Sequence, residues 1–242
     1  MPHLRAAVPL PGRAAARAAL GIGADAFIVA SFGLATKRKG AALLMAAVSG
    51  IPGARLIWVG DALAAEVPAA LPRTGRLSAE DYRRWLAAAD VAVQLREDDR
   101  GETSGAALDA LAAGLPLVCN ALGAMAEFPP DAVTLVDARP DAAALREAIL
   151  AARARGGAAG RAWLCEALAP ARIAAQIRDA LEAAWASPVP EETLRHLPFA
   201  PGEATAAGLA LAQAGGAPRE RRLWLDMALE PRAALLAMLR EG

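Results

Sequence analysis

One carboxylate, Glu102, stands in the turn-forming stretch Gly101-Glu-Thr-Ser-Gly105, directly ahead of the apolar run Ala106-Ala-Leu-Asp-Ala-Leu-Ala-Ala113. Thr103 and Ser104 are residue types that cap helices, Gly114 is a natural C-terminal stop, and Leu115-Pro-Leu-Val-Cys119 reads as the following strand. The opening of such a helix carries unpaired N–H groups and the positive end of the helix dipole, which together favour a phosphate or oxyanion. The short side chains of Ser104 and Gly105 leave room for one to approach. A second stretch, Ser31-Phe-Gly33-Leu-Ala-Thr-Lys37-Arg-Lys39-Gly40, puts three cations between a glycine turn and the next helix. That arrangement suits a diphosphate. Taken alone it also suits a solvated basic turn, and the companion Glu102 stretch tips the reading toward a ligand. A third, Asn120-Ala-Leu-Gly-Ala-Met-Ala-Glu127, offers Gly123 either as a close backbone approach to a ligand or as an ordinary loop glycine. Ser78, after Gly75-Arg76-Leu77, reads as an N-cap with Asp81 in the first turn.

The elements that must hold these stretches alternate. Helical patterns at 13–20, 41–48, 79–88, 106–113 and 142–154 are interleaved with apolar runs at 27–33, 54–60, 91–95, 115–120 and 133–136, each of strand length. Alternation of this kind predicts an α/β fold with a doubly wound parallel sheet, whose ligands bind beyond the carboxyl ends of the strands. The glycine-lysine turn, the Glu102 turn and the Gly123 loop all fall at such ends. Gly21-Ile-Gly23 precedes a strand instead of following one, which excludes it as a dinucleotide loop. Past Gly156 the pattern turns wholly helical, at 161–168 and 173–185. Beyond Ser187-Pro-Val-Pro190 only two weak helical segments remain, around 208–213 and 232–239. The expected division is a domain over residues 1–186 and a helical C-terminal extension over 187–242.

Composition narrows the functional classes. Of 242 residues 56% are hydrophobic, ample for a buried core, and 26 Lys and Arg balance 26 Asp and Glu, so nothing in the total charge points to nucleic acid. The arginines at 153, 155 and 161 and the Arg219-Glu-Arg-Arg222 cluster have no interleaved aromatics and read as helical surface charge. The first twenty residues are broken by Pro2, Pro9, Pro11 and three arginines, unlike a signal peptide. The most apolar window, 105–125, is divided by Gly114 and Pro116, so no transmembrane segment is expected. Cys119 in a strand and Cys165 in a helix read as core thiols of a reducing compartment. This places the chain in the cytoplasm, free or peripheral at the inner face of a membrane. Two histidines, His3 and His196, give no metal-ligand spacing, and no metal or other cofactor is expected. Trp58, Trp85, Trp163 and Trp185 fall on apolar faces and read as core.

The motif Gly-Glu-Thr-Ser-Gly followed by Leu-Asp-Ala-Leu-Ala-Ala-Gly-Leu-Pro resembles the donor-site motif of retaining glycosyltransferases of the family 4 type, which adopt the two-domain GT-B fold. The resemblance spans residues 10–186 and implies the nucleotide-sugar-binding, Rossmann-like half of such an enzyme. It implies that Glu102 meets the sugar and Asp109 the ribose hydroxyls, although the two acids stand one residue closer together than the family's usual pair and the second is usually Glu. The family's lysine six residues past the glycine falls on Lys39, with Lys37 an alternative register. Leu34 stands where an arginine is usual, its charge supplied by Lys37 or Arg38. The implied donor-binding set is Gly33, Lys37, Arg38, Arg96, Thr103, Ser104, Gly105, Asp109 and Gly123, with Glu102 and Lys39 acting at the reacting centre. The implied substrate is a nucleoside diphosphate sugar, with an acceptor domain supplied by another protein or by a homo-oligomer. The alternative is a non-catalytic nucleotide-binding remnant.

Overall fold

Five strands form one wholly parallel sheet in a computed structural model that describes residues 6, 9–99 and 101–186. In chain order the elements are α1 (Arg13–Ala19), β1 (Phe27–Phe32), α2 (Ala41–Ser49), β2 (Ala54–Val59), α3 (Ala79–Ala88), β3 (Val91–Gln94), α4 (Gly105–Ala112), β4 (Leu117–Asn120), β5 (Thr134–Val136), α5 (Ala142–Arg155), α6 (Ala158–Ala167) and α7 (Pro170–Ala186). Within the described residues the predicted elements are present, with ends shifted by a few residues. The expectations for residues 187–242, and for Trp185, lie outside the described residues and side chains. The first of two compact units ends at Ala175, and α7 runs on past it.

The strand order is β2-β1-β3-β4-β5. Every residue of β1, β3 and β4 is buried, as expected of parallel strands covered on both faces. Phe27 and Val29 of β1, Val91 and Val93 of β3 and Val118 of β4 pack under α2 and α5 through Leu44, Val48, Leu145 and Ile149. On the opposite face α4 lies on β3 and β4 with α6 behind it, while α1 packs on α3. The alanine-rich sequence of α4 suits this place: Ala107, Ala110 and Leu111 are wholly buried, and small side chains let the helix lie close to the sheet.

At the amino ends of the strands Arg17 is the fastening. Its guanidinium, 3% exposed, donates to the carbonyls of Ala88, Gly23 and Ala26 at 3.0 Å and to Asp90 Oδ2 at 2.7 Å. Asp90 Oδ2 also accepts from the backbone of Ile28 at 2.8 Å. Charge-assisted bonds thus hold α1 to the starts of β1 and β3.

Two expectations are corrected. Cys165 is exposed on α6, whereas Cys119 is buried as expected and burial pushes its thiol well above the ordinary range. Trp58 is fully buried, but Trp85 and Trp163 are only half-buried, Trp163 lying edge-on to Phe128 with ring centres 5.7 Å apart.

Candidate functional site

Between β1 and β3 the chain switches direction across the sheet, and the loops leaving their carboxyl ends part to leave a crevice. A cleft of about 830 Å³ opens there, lined by Lys37, Arg38 and Lys39 from the loop after β1, Arg96 and Glu102 from the loop after β3, and Leu122 and Met125 from the loop after β4. A second cleft of about 670 Å³ adjoins it along Leu34 and is lined by Gly33, Asp61, Arg76, Tyr82 and Asp109. The two stretches that the sequence singled out therefore share one crevice.

The glycine turn is held from β2. Gly33 N donates to Val59 O at 3.0 Å, and the buried Trp58 indole donates to Gly33 O at 2.7 Å. With φ at +92° Gly33 occupies a backbone region that side chains rarely adopt, and a Cβ there would stand 3.1 Å from the Lys39 ammonium. Glycine at 33 thus lets Lys39 fold back against the turn. The cations follow in a 3-10 turn, Lys37–Lys39, that leads into α2. Arg38 O accepts from Glu97 N at 2.9 Å, and the Arg38 guanidinium lies 3.4 Å from Asp98, so the loops after β1 and β3 are tied together. Lys37 N donates to Glu66 at 3.3 Å.

Arg96 is placed by a buried amide. Asn120 Oδ1 accepts from Arg96 N at 2.8 Å, while its Nδ2 donates to Arg96 O and Ala138 O, both at 2.7 Å. The side chain at the end of β4 thereby fixes the second loop residue after β3. Lys39 shares the cleft wall with Arg96 and Glu102; burial, and then the Arg96 guanidinium, lower its pKa to about 8, against the opposing pull of Glu102. A lysine whose pKa is lowered by burial and a neighbouring cation gains from an incoming anion, in a cleft where four cations stand among four carboxylates.

Helix α4 opens at Gly105 with Ser104 as its N-cap, the Ser104 hydroxyl accepting from Ala107 N at 3.3 Å. Ser104 is 2% exposed, so its hydroxyl serves the helix. The walls of the two clefts include Gly33, Lys37, Arg38, Lys39, Arg96, Glu102 and Asp109 of the predicted set, but not Thr103, Ser104, Gly105 or Gly123. Gly123, at φ +56°, meets the Asp99 carboxylate where a Cβ would be, so its approach is to the neighbouring loop. Ser78 caps α3 as read from the sequence, accepting from Asp81 N at 3.0 Å.

Sequence reasoning missed Tyr82, whose hydroxyl donates to Asp109 Oδ2 at 3.1 Å inside the second cleft. One signal was present, since Tyr82 is the only tyrosine of the 242 residues. The acidic residues Glu66, Asp98 and Asp99 of the first cleft were also missed, because sequence alone does not say which loop carboxylates turn inward. Among the described residues no group of three or more His, Cys, Asp or Glu is placed to hold a metal ion. Nor is any described helix long and apolar enough to cross a membrane.

Comparison with known proteins places this geometry. In shape the chain is similar to sucrose-phosphate synthase from Thermosynechococcus elongatus (25% identity, TM-score 0.61, 76% of this chain and 52% of that one). It is also similar to Anabaena Alr3699/HepE, solved with UDP and glucose (20% identity, TM-score 0.58, 70% and 51%). The C-terminal domain of the group 1 glycosyl transferase LpcC from Francisella tularensis matches over 68% of this chain and 96% of its own length, with 15% identity and a TM-score of 0.53. The chain thus spans about half the length of the first two proteins, and the fold shared with all three is the Rossmann-like half of a GT-B glycosyltransferase. A search of curated proteins returns no match. The family model for "Glycosyl transferases group 1" matches residues 25–155, from the start of β1 to the end of α5, with both clefts built chiefly from the matched segment. With more than half of its residues so matched, the chain belongs to the group 1 glycosyl transferases.

Proposed function

We propose that this chain is the donor-binding half of a retaining glycosyltransferase of the family 4 type, which binds a nucleoside diphosphate sugar and transfers the sugar to an acceptor held by another domain or protein. The observation that carries the reading is the meeting of Lys39, Arg96 and Glu102 in one cleft at the switch point of the sheet, with Asp109 in the cleft next door. In this reading the diphosphate lies along Lys37, Lys39 and Arg96, the sugar beside Glu102, and the nucleoside in the second cleft with its ribose at Asp109. Breaking the sugar–phosphate bond leaves negative charge on the departing diphosphate. Fixed cations stabilise that charge more than they stabilise the intact donor, which is the condition for lowering the barrier. Side-chain cations supply this compensation, so the reading calls on no metal. Glu102 orients sugar hydroxyls and faces the positive charge that develops at the anomeric carbon. Retention comes from the family resemblance.

Isothermal titration with UDP-, GDP- and ADP-sugars, paired with an assay of slow donor hydrolysis, tests the reading. The expected result is binding of one of them and hydrolysis that Glu102→Ala abolishes while nucleotide affinity is largely kept. Undiminished hydrolysis in Glu102→Ala removes the role given to Glu102; binding without hydrolysis in the unaltered chain identifies a nucleotide-binding module instead.

A further inference from the structure

We propose that Tyr82 positions the Asp109 carboxylate to read ribose hydroxyls, so that the second cleft selects ribonucleotides over nucleotides lacking them; the inference rests on the donor-site reading above. Three observations carry it. First, Tyr82 and Asp109 line the same cleft from different helices, α3 and α4, and the phenol donates to Asp109 Oδ2 at 3.1 Å. Second, the phenol is itself fixed. Its ring lies edge-on to Phe32, centres 5.6 Å apart at 75°, and Phe32 is wholly buried at the end of β1, next to Gly33. Its backbone N donates to Ser78 O at 3.0 Å in the first turn of α3. Third, the acid is an aspartate on a short arm. Its carboxylate has one side-chain torsion fewer than a glutamate's, and a hydrogen bond from a fixed phenol selects one orientation from the few remaining.

A carboxylate accepts hydrogen bonds and a ribose hydroxyl donates them, so an oriented Asp109 discriminates between a ribose and a sugar without those hydroxyls. Tyr82 acts through Asp109 and is a positioning residue. The ring contact with Phe32 and the hydroxyl contact with Asp109 are separable, because Tyr82→Phe keeps the first and removes the second.

The test measures binding of UDP, GDP and ADP, and of their 2′,3′-dideoxy counterparts, to the full 242-residue chain and to Tyr82→Phe and Asp109→Asn, with a thermal melt of each. For the ribonucleotide that binds the unaltered chain, Tyr82→Phe is expected to weaken affinity about tenfold, the lower end of the scale of one hydrogen bond to a charged group. The dideoxy counterpart binds Tyr82→Phe and the unaltered chain alike, and Asp109→Asn reproduces the hydroxyl-dependent loss. Equal weakening for ribo and dideoxy forms, or none for either, overturns the role of Tyr82 while leaving the donor-site reading intact. Failure of all three ribonucleotides to bind the unaltered chain overturns the donor-site reading and this inference with it.

Discussion

Raising the pH should loosen the grip on a diphosphate, and Lys39 sets the range. Burial and the Arg96 guanidinium bring its pKa from an ordinary 10.5 down to about 8, a gap of roughly 3 kcal/mol against the charged form. In the unliganded cleft Lys39 is thus about nine-tenths charged at pH 7 and about one-tenth charged at pH 9. A bound diphosphate adds negative charge beside the ammonium and returns its pKa toward the ordinary value, so above pH 8 binding must take up a proton. Linkage then gives a dissociation constant that rises about tenfold between pH 7 and pH 9 and levels off as the pH passes the raised pKa of the bound lysine. Calorimetric titration with the nucleotide sugar, repeated in buffers of different ionisation enthalpy, measures both the affinity and the proton uptake. Lys39→Arg keeps its charge throughout, and any slope it retains belongs to the ligand or to other groups. A flat profile in the unaltered chain, or the same slope in Lys39→Arg, refutes the reasoning. The sign for folding is opposite to that of a stabilising ion pair: because the folded pKa lies below the unfolded one, the charged lysine weighs against the fold below pH 8, and the penalty fades as pH climbs toward 10.5. Lys39→Met is accordingly expected to raise the melting temperature at pH 7 and to do so less at pH 10.

Gly33→Ala should lower stability by about 1–2 kcal/mol, since φ is +92° there, and should weaken nucleotide-sugar binding by pressing on the Lys39 ammonium; denaturant midpoints and titration read the two effects. Gln94 is wholly buried with neither end of its amide hydrogen-bonded, so the similarly shaped Gln94→Met should stabilise the fold by roughly 1–2 kcal/mol in urea unfolding. Arg17→Met removes the buried guanidinium that partners the carbonyls of Ala88, Gly23 and Ala26, leaves Asp90 to Arg13 alone and should cost about 2–4 kcal/mol, while donor affinity measured below the melting range stays unchanged because the clefts lie at the other end of the strands.

Much of this architecture could be read from residues alone. The run at 27–33 announced itself as a buried parallel strand by nearly continuous apolar content, the run at 54–60 read as a strand although its edge position leaves Arg55 exposed, and Gly114 and Gly33 marked turns by type. The shared cleft of Lys39 and Glu102 followed from both stretches lying after strands. What was not legible depended on contacts between elements distant in sequence. Alanine contributes little to hydrophobic periodicity, so α6 gave no clear inner face and Cys165 was assigned to the wrong one. Ser104 suits both a cap and an anion contact, and only its burial against Ala107 N shows where its hydroxyl goes. The Tyr82–Asp109 pair joins residues 27 positions apart, and the partner of Gly123 proved to be a carboxylate of another loop.

The bond from the Trp58 indole to Gly33 O gives the molecule an intrinsic optical sensor. Indole emission depends on what the N–H touches, and here it touches the back of the very turn whose front side cradles Lys39. A shift of that peptide on ligand capture would alter fluorescence without any label, and a chain reduced to this one tryptophan would turn occupancy of the crevice into a colour change.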